Sequence, residues 1–352
     1  MAEDSSYQPF IDWLKCLGTL VIVYGHVAAW AALATLPPIR SKQLGVAFFL
    51  FITGYSLCRE TRSRWRVAFN RLFEVYLFGV ALAIILSVTT YLTRGTLQLS
   101  NYSVFLGGLD VLFNSFPANP TTWYIGTYLH LIVLWALVAH RIRVSAALVA
   151  LACGAEIVLR AVLIHAAGGY VAYMVLPNWS TVILLGCWYG QRDNPPTRRS
   201  GAAALGAGIG LVLAVIGWSI LSARLPFSEG FPFMQLSAGG PAAGALLASA
   251  MVSALYVGVT WLTFRAVSSL TAPRFVRFVA RNTLLIFLGH MPLYYALGPI
   301  VRRWGNSRAF HSVVLMVVCV LGLGLLSEAL HRLIRPRELR EKLYARLREV
   351  RS

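Results

Sequence analysis

The chain has 352 residues, 58% of them hydrophobic and only 12% charged, and its mean hydropathy is +0.67. Soluble domains carry about 25% charged residues, so this composition excludes a soluble globular protein and predicts an all-α, polytopic integral membrane protein. The net charge of +18, from 31 Lys and Arg against 13 Asp and Glu, lies in short loops, where the positive-inside rule explains it without a nucleic-acid partner.

The polar, acidic start Met1–Gln8 is followed by no small-residue cleavage site, so the first segment is expected to stay as an anchor. Apolar segments long enough to span fall at 11–31, 43–58, 72–92, 121–140, 144–165, 175–190, 201–222, 241–264, 282–300 and 311–331. They predict about ten transmembrane helices, separated by Gly-, Pro- and charge-rich connectors at 36–40, 191–199 and 226–240. With the N-terminus placed in the cytoplasm, 22 basic residues fall on the cytoplasmic side and 7 on the other, with Lys15 and Arg160 inside segments. That asymmetry predicts an N-in, C-in topology. The stretch 103–120 holds Asp110, Asn114 and two prolines and reads as an outer loop with an amphipathic or re-entrant piece. One transmembrane domain is expected over 1–334. Over 335–352, Leu alternates with Arg and Glu at helical spacing, a basic amphipathic tail for the anionic inner surface. Cys16, Cys58, Cys153, Cys187 and Cys319 all fall in or beside apolar segments and read as small packing residues.

The first segment holds the most informative polar groups: Asp12, Lys15 and His26. Ionisable side chains inside a span are costly and by default mark a functional site. Asp12 shares a helix face with Lys15. Lys15 and His26 are separated by roughly 16 Å along the helix axis, about half of a hydrocarbon core some 30 Å thick. In the N-in orientation Lys15 lies near the cytoplasmic face and His26 beyond the midplane. Histidine exchanges protons near neutral pH and can take one from an alcohol that attacks an acyl group. Lys15 with the arginines of 59–71 suits a phosphate-bearing cytoplasmic molecule. The plain alternative is a snorkelling lysine and a histidine satisfied by a neighbouring helix.

Five runs in order resemble one family. Ile11-Asp-Trp-Leu-Lys15 with Val21-Ile-Val-Tyr-Gly-His26 is similar to the first-helix signature of the membrane acyltransferase-3 family, nearest the fucose O-acetylase-like, polysaccharide O-acetyltransferase branch. Phe48-Phe-Leu-Phe-Ile-Thr-Gly-Tyr55 resembles its second helix, and Arg66 with Arg71-Leu-Phe-Glu-Val-Tyr76 its basic entry to the third. Trp123-Tyr-Ile-Gly126 and Phe287-Leu-Gly-His290-Met-Pro292 resemble its Trp-Tyr/Phe-Leu segment and its late histidine helix. Four departures stand out: Lys15 replaces an arginine, Thr53 a serine, and Glu74-Val75 a region often holding proline, while Tyr128 and His130 occupy a region where some members carry an acidic residue.

The resemblance implies acyl transfer across a plasma (inner) membrane, from cytoplasmic acyl-CoA, usually acetyl-CoA, to a sugar hydroxyl of a glycan or lipid-linked saccharide outside. The donor is a co-substrate, with no bound cofactor. On this reading His26 is the general base or an acyl carrier, with His290 paired to it or polarising the thioester carbonyl. Lys15 holds the donor's phosphate or its arm, with Asp12 orienting it. Arg64, Arg66 and Arg71 are candidate phosphate contacts, and Tyr55 and Trp123 complete the substrate-binding set. His290 reads equally as an interhelical hydrogen bond, and His130 reads as packing. Glu156 and Arg160, four apart, are expected to neutralise each other, with lining of an acceptor cavity as the alternative. His140, His311 and His331 lie at segment ends and read as interfacial. Trp123, Trp179, Trp188, Trp261 and Trp304 suit aromatic belts, although Trp123 and Trp179 could stack on a glycan. No two histidines stand three or four apart, so no metal is expected. The competing classes are a polytopic transporter or exporter of a glycolipid or anionic metabolite, and a scaffold in an envelope-synthesis complex.

Overall fold

The computed structural model describes residues 8–31, 43–113, 117–167, 169–192, 201–224, 241–304 and 307–349. The connectors expected at 36–40 and 226–240, and most of that at 191–199, lie outside them. The described residues form no strand. The helices are α1 (Pro9–Ala31), α2 (Gln43–Leu57), α3 (Arg64–Arg94), α4 (Ser100–Ser103), α5 (Leu109–Leu112), α6 (Trp123–Leu137), α7 (Ala146–Ala167) and α8 (Gly169–Met174). They continue with α9 (Ser180–Gly190), α10 (Gly201–Arg224), α11 (Ala242–Val267), α12 (Arg274–Val301), α13 (Arg308–Val317), α14 (Leu323–Ile334) and α15 (Pro336–Glu349). A π-helical turn, Val318–Gly322, joins α13 to α14 into one rod.

Every one of the ten expected segments carries a helix. Among the described residues six helices are long and apolar enough to cross a membrane: α1, α3, α7, α11, α12 and the α13–α14 rod. Helix α2 and the 202–214 stretch of α10 are apolar but shorter. This is an all-α membrane protein. Its lipid-facing surfaces are apolar: Ile84, Ile85, Val88 and Leu92 of α3 are all exposed, as a span in hydrocarbon requires. Ser63 caps the start of α3 by accepting from the Arg66 N–H, and Gly95 ends it in the left-handed conformation at φ 67°.

Helix α1 runs between α2 and α12 at the centre. Glycine lets the backbones approach: a Cβ on Gly45 would collide with the Gly18 carbonyl, and Cβ atoms on Gly54, Gly186 and Gly190 would collide with backbone carbonyls across the α2–α9 contact. Gly186 and Gly190 form a small-xxx-small pair on α9. This contact corrects the reading of the cysteines, because it brings Cys58 to Cys187, which form a disulfide with Cα atoms 5.2 Å apart. Cys16, Cys153 and Cys319 are free thiols.

The paired charges expected on α7 are there and fully enclosed. Arg160 meets Glu156 at 2.6 Å, each only 2% exposed. Arg160 also donates to Ser253 and to the Asn178 carbonyl, while Glu156 accepts from the Thr181 N–H at 2.9 Å and from Ser253. The network ties α7, α9 and α11 together, and every charge is met by opposite charge or by donors, as low-dielectric burial demands. The described residues of 95–122 form a loop carrying α4, α5 and a 3₁₀ turn, Pro120–Thr122. It docks through Tyr76 Oη to the Phe105 carbonyl, 3.1 Å, and through His130 Nε2 to the Gly107 carbonyl, 2.9 Å.

Candidate active site

Helices α1 and α12 run side by side and in the same direction. Thr19 donates to Thr283 at 3.3 Å, and His26 Nδ1 meets His290 Nε2 at 2.7 Å, both pairs offset by 264 residues. Trp13 Nε1 adds a third tie, to the Thr271 carbonyl at 3.1 Å. The two imidazoles are nearly coplanar, 15° apart.

The protons on this pair follow from its partners. His290 Nδ1 faces the carbonyls of Ile286 and Phe287 at 3.1 and 2.8 Å. Carbonyls only accept, so His290 carries its proton on Nδ1 and its lone pair on Nε2. That lone pair accepts from His26 Nδ1–H, which leaves the basic lone pair of His26 on Nε2. A proton taken at Nε2 turns His26 into a cation whose Nδ1–H is already held. Two histidines so arranged can act as an oriented base, with His290 as the orienting partner.

A different carbonyl beside the pair is freed by a proline. Pro292 has no N–H, so the Leu288 carbonyl loses its helical donor. Asn119 Nδ2 fills that place at 2.9 Å, and Thr121 Oγ1 donates to the adjacent Phe287 carbonyl at 3.4 Å. From the other side, Cys319 in the π-helical turn points its thiol at the His290 carbonyl, 3.8 Å away. Such π-bulges inside α-helices are frequent at functional sites.

Two cavities lead toward the pair from the basic end of the bundle. The outer one, about 620 Å³, is lined by Asp12, Lys15, Arg281, Arg332, Arg335 and Arg337, with Glu74, His331 and Glu338 among the other walls. The inner one, about 340 Å³, shares Lys15, Glu74 and Arg281 with it and adds Arg71, Thr53, Tyr124, Tyr128 and Phe287. Arg71 stands against the Tyr128 hydroxyl, and Thr53 against that of Tyr124. The inner cavity stops at Phe287, whose ring centre lies 6.2 Å from that of His290. Lys15 therefore stands where the two cavities join, and the histidine pair lies one helical turn beyond the far wall.

Of the residues singled out in the sequence, the structure brings Asp12, Lys15 and Arg71 to these cavities, and joins His26 to His290. Four sit elsewhere. Arg64 reaches His140, 3.4 Å, and Arg66 pairs with Glu341 at 2.8 Å. Tyr55 is buried against Phe10, ring centres 5.0 Å apart. Trp123, 6% exposed, stacks on Trp179, itself 1% exposed, so neither ring offers a face to a glycan here. Sequence reasoning passed over Arg281, Arg332, Arg335 and Arg337, and placed His331 at an interface rather than in a cavity wall. Their signal was a cluster of cations at one end of three different helices, which only the packing turns into a site. Among the described residues no group of three metal-ligating side chains forms around any histidine.

An outer chamber lined by five Lys and Arg side chains and four carboxylates, Glu328 among them, leads past a lysine to a cavity that stops one turn short of the histidine pair. The chamber's cations can hold a phosphorylated donor, and the imidazole pair can take up a proton. The model of the Acyltransferase domain of the acyltransferase-3 family, Acyl_transf_3, matches residues 8–328, from the start of α1 into α14. No curated protein and no solved structure is similar enough to match. The matched span contains both histidines and Lys15, and the chain belongs to the acyltransferase-3 family of membrane acyltransferases.

Proposed function

We propose that this acyltransferase is an inner-membrane O-acetyltransferase of the polysaccharide-modifying, fucose O-acetylase-like kind. It has about ten spans with both termini in the cytoplasm. It moves an acyl group, acetyl in the simplest case, from cytoplasmic acyl-CoA to a sugar hydroxyl of a glycan or lipid-linked saccharide outside. The outer cavity takes the phosphates of CoA on Arg281, Arg332, Arg335 and Arg337, and the pantetheine arm passes Lys15 and Arg71 toward Phe287. His26 Nε2 removes the proton of the acceptor hydroxyl as its oxygen attacks the thioester carbonyl. The carbon–sulfur bond then breaks, and the proton on His26 goes to the departing thiolate, giving an ester and free CoA. Throughout, His290 holds His26 Nδ1–H.

The observation that carries this reading is the 2.7 Å His26–His290 contact one turn beyond a cavity that opens, through Lys15, on an arginine-lined chamber. The ordering of basic residues at one end supports the topology. Membranes holding the wild type or His26→Ala are incubated with radiolabelled acetyl-CoA, and label in extractable glycan is counted. Label in wild type alone is the expected result. Equal labelling in both removes His26 as the base.

A further inference from the structure

Helix α15 lies past the end of the family match at residue 328, yet its start walls the outer cavity: Pro336, Arg337 and Glu338 line it, with Arg335 just before them. The chain arrives there through a sharp break. Arg335 closes α14 in the left-handed conformation at φ 50°, the only described non-glycine residue with positive φ, with its N–H on the His331 carbonyl. Pro336 then opens α15 at the helix position where a missing N–H is no loss. One side of α15 is fixed to α3: Glu341 pairs with Arg66 at 2.8 Å, Arg340 reaches Glu74 at 3.9 Å, and Tyr344 packs on Phe69 with ring centres 5.4 Å apart.

Another side is left over. Leu339, Leu343 and Leu347 recur every four residues and are 42%, 41% and 48% exposed, and the adjoining Leu333 is 81% exposed. Lys342 and Arg346 run along one flank of this row, exposed as well. Leucines in a row beside cations, on a helix at the basic end of a membrane protein, match the boundary of an anionic leaflet, apolar below and negative at the headgroups.

We infer that α15 is a lipid-seated strap. Leu339, Leu343 and Leu347 rest in the acyl boundary of the anionic leaflet, Lys342 and Arg346 lie on its headgroups, and this seating holds Arg335 and Arg337 in the wall of the outer cavity. The lipid contact stands on the helix alone, whereas its effect on the donor rests on the acyl-CoA reading above.

The test places an environment-sensitive fluorophore on Leu343→Cys in the full chain. The protein is reconstituted in nanodiscs of phosphatidylcholine, with or without phosphatidylglycerol. Phosphatidylglycerol is expected to shift the emission to the blue and to make it quenchable by brominated acyl chains, and the pair K342E and R346E should abolish both. A water-exposed signal in either lipid overturns the inference, as does shielding that ignores phosphatidylglycerol and follows protein density, the mark of a second copy. In the same discs phosphatidylglycerol should lower the acetyl-CoA KM severalfold, with kcat unchanged, in wild type but not in the charge-reversed pair. Lipid-dependent shielding with an unaltered KM overturns the effect on the donor. Lipid-dependent shielding without any acyl transfer removes the acyl-CoA reading and supports the lipid contact.

Discussion

The side-chain amide of Asn119 donates to the Leu288 carbonyl across 2.9 Å, and Leu288 is the residue whose helical donor Pro292 cannot supply. The bond links the loop before α6 to the helix that carries His290. Both Asn119 and Leu288 are buried, so water cannot take over. Asn119→Ala therefore leaves a carbonyl unsatisfied, at a cost of about 1–3 kcal/mol. Pro292→Ala restores a backbone N–H beneath the same carbonyl. The double variant is expected to lose less thermal stability in detergent than the sum of the two single losses. Strict additivity would separate the proline from the asparagine.

In the proposed mechanism His290 orients the base, so its removal should show in turnover rather than in donor binding. In His290→Ala the Nδ1–H of His26 loses the acceptor that fixes its tautomer. The expected loss in kcat is about 10²-fold, with the acetyl-CoA KM unchanged. His290→Gln keeps an oxygen able to accept from His26 Nδ1–H and should recover part of the rate. A variant that raised KM and spared kcat would place His290 in donor binding instead.

The arginines of the outer cavity make the opposite prediction. Each charge-assisted contact to a phosphate contributes about 1.5–3 kcal/mol, or roughly 10- to 100-fold in affinity. Arg281→Ala and Arg337→Ala should raise the acetyl-CoA KM by that order and leave kcat nearly unchanged. Arg64→Ala, whose side chain is turned to His140, should change neither. Steady-state kinetics on the three variants decides whether the donor enters through this chamber.

How much of this was legible beforehand depended on whether the signal was local. Each of the ten segments carries a helix because hydropathy is summed along one stretch of chain. His26 and Lys15 stood out because a lone ionisable group in an apolar run is costly wherever its neighbours lie. Glu156 and Arg160 were legible as a pair because four residues separate them. The outer cavity was not legible, since Arg281, Arg332 and Arg337 come from three helices and look like ordinary loop cations until α12, α14 and α15 are packed. The Cys58–Cys187 link, 129 residues apart, depends on a close α2–α9 approach set by three glycines. Trp123 and Trp179 were misplaced for a related reason: a tryptophan near a segment end reads as a belt residue, whereas here the two rings are stacked inside.

Asp110 gives the loop between α3 and α6 a pH dependence. Its carboxyl is fully buried. Burial pushes its pKa up to about 7 from 3.8, with the nearby backbone amides of Val111 and of Asp110 itself opposing only in part. The folded state thus holds this proton more tightly than the unfolded chain. Its stabilising effect is complete below about pH 4, is lost as pH rises toward 7, and levels off above that. Asp110→Asn cannot ionise. Between pH 5 and pH 8 the wild-type unfolding temperature should fall by more than that of the variant, and scans at the two pH values measure the difference. Parallel behaviour of the two proteins would show that Asp110 is ionised in the fold.

The enclosed Glu156–Arg160 pair separates a structural role from a catalytic one. Glu156→Leu leaves a guanidinium in a space with 2% exposure, and stranding a buried charge costs about 3–5 kcal/mol. Arg160→Met is the milder change, because the Thr181 N–H and Ser253 still donate to the carboxylate. Removing both charges leaves no stranded ion, so the double variant should recover most of the loss seen in Glu156→Leu. Neither residue lines the two cavities. Transfer activity per folded molecule should therefore be retained in the double variant, with the stability changes read from thermal unfolding. A well-folded double variant without activity would move the acceptor's place to α7.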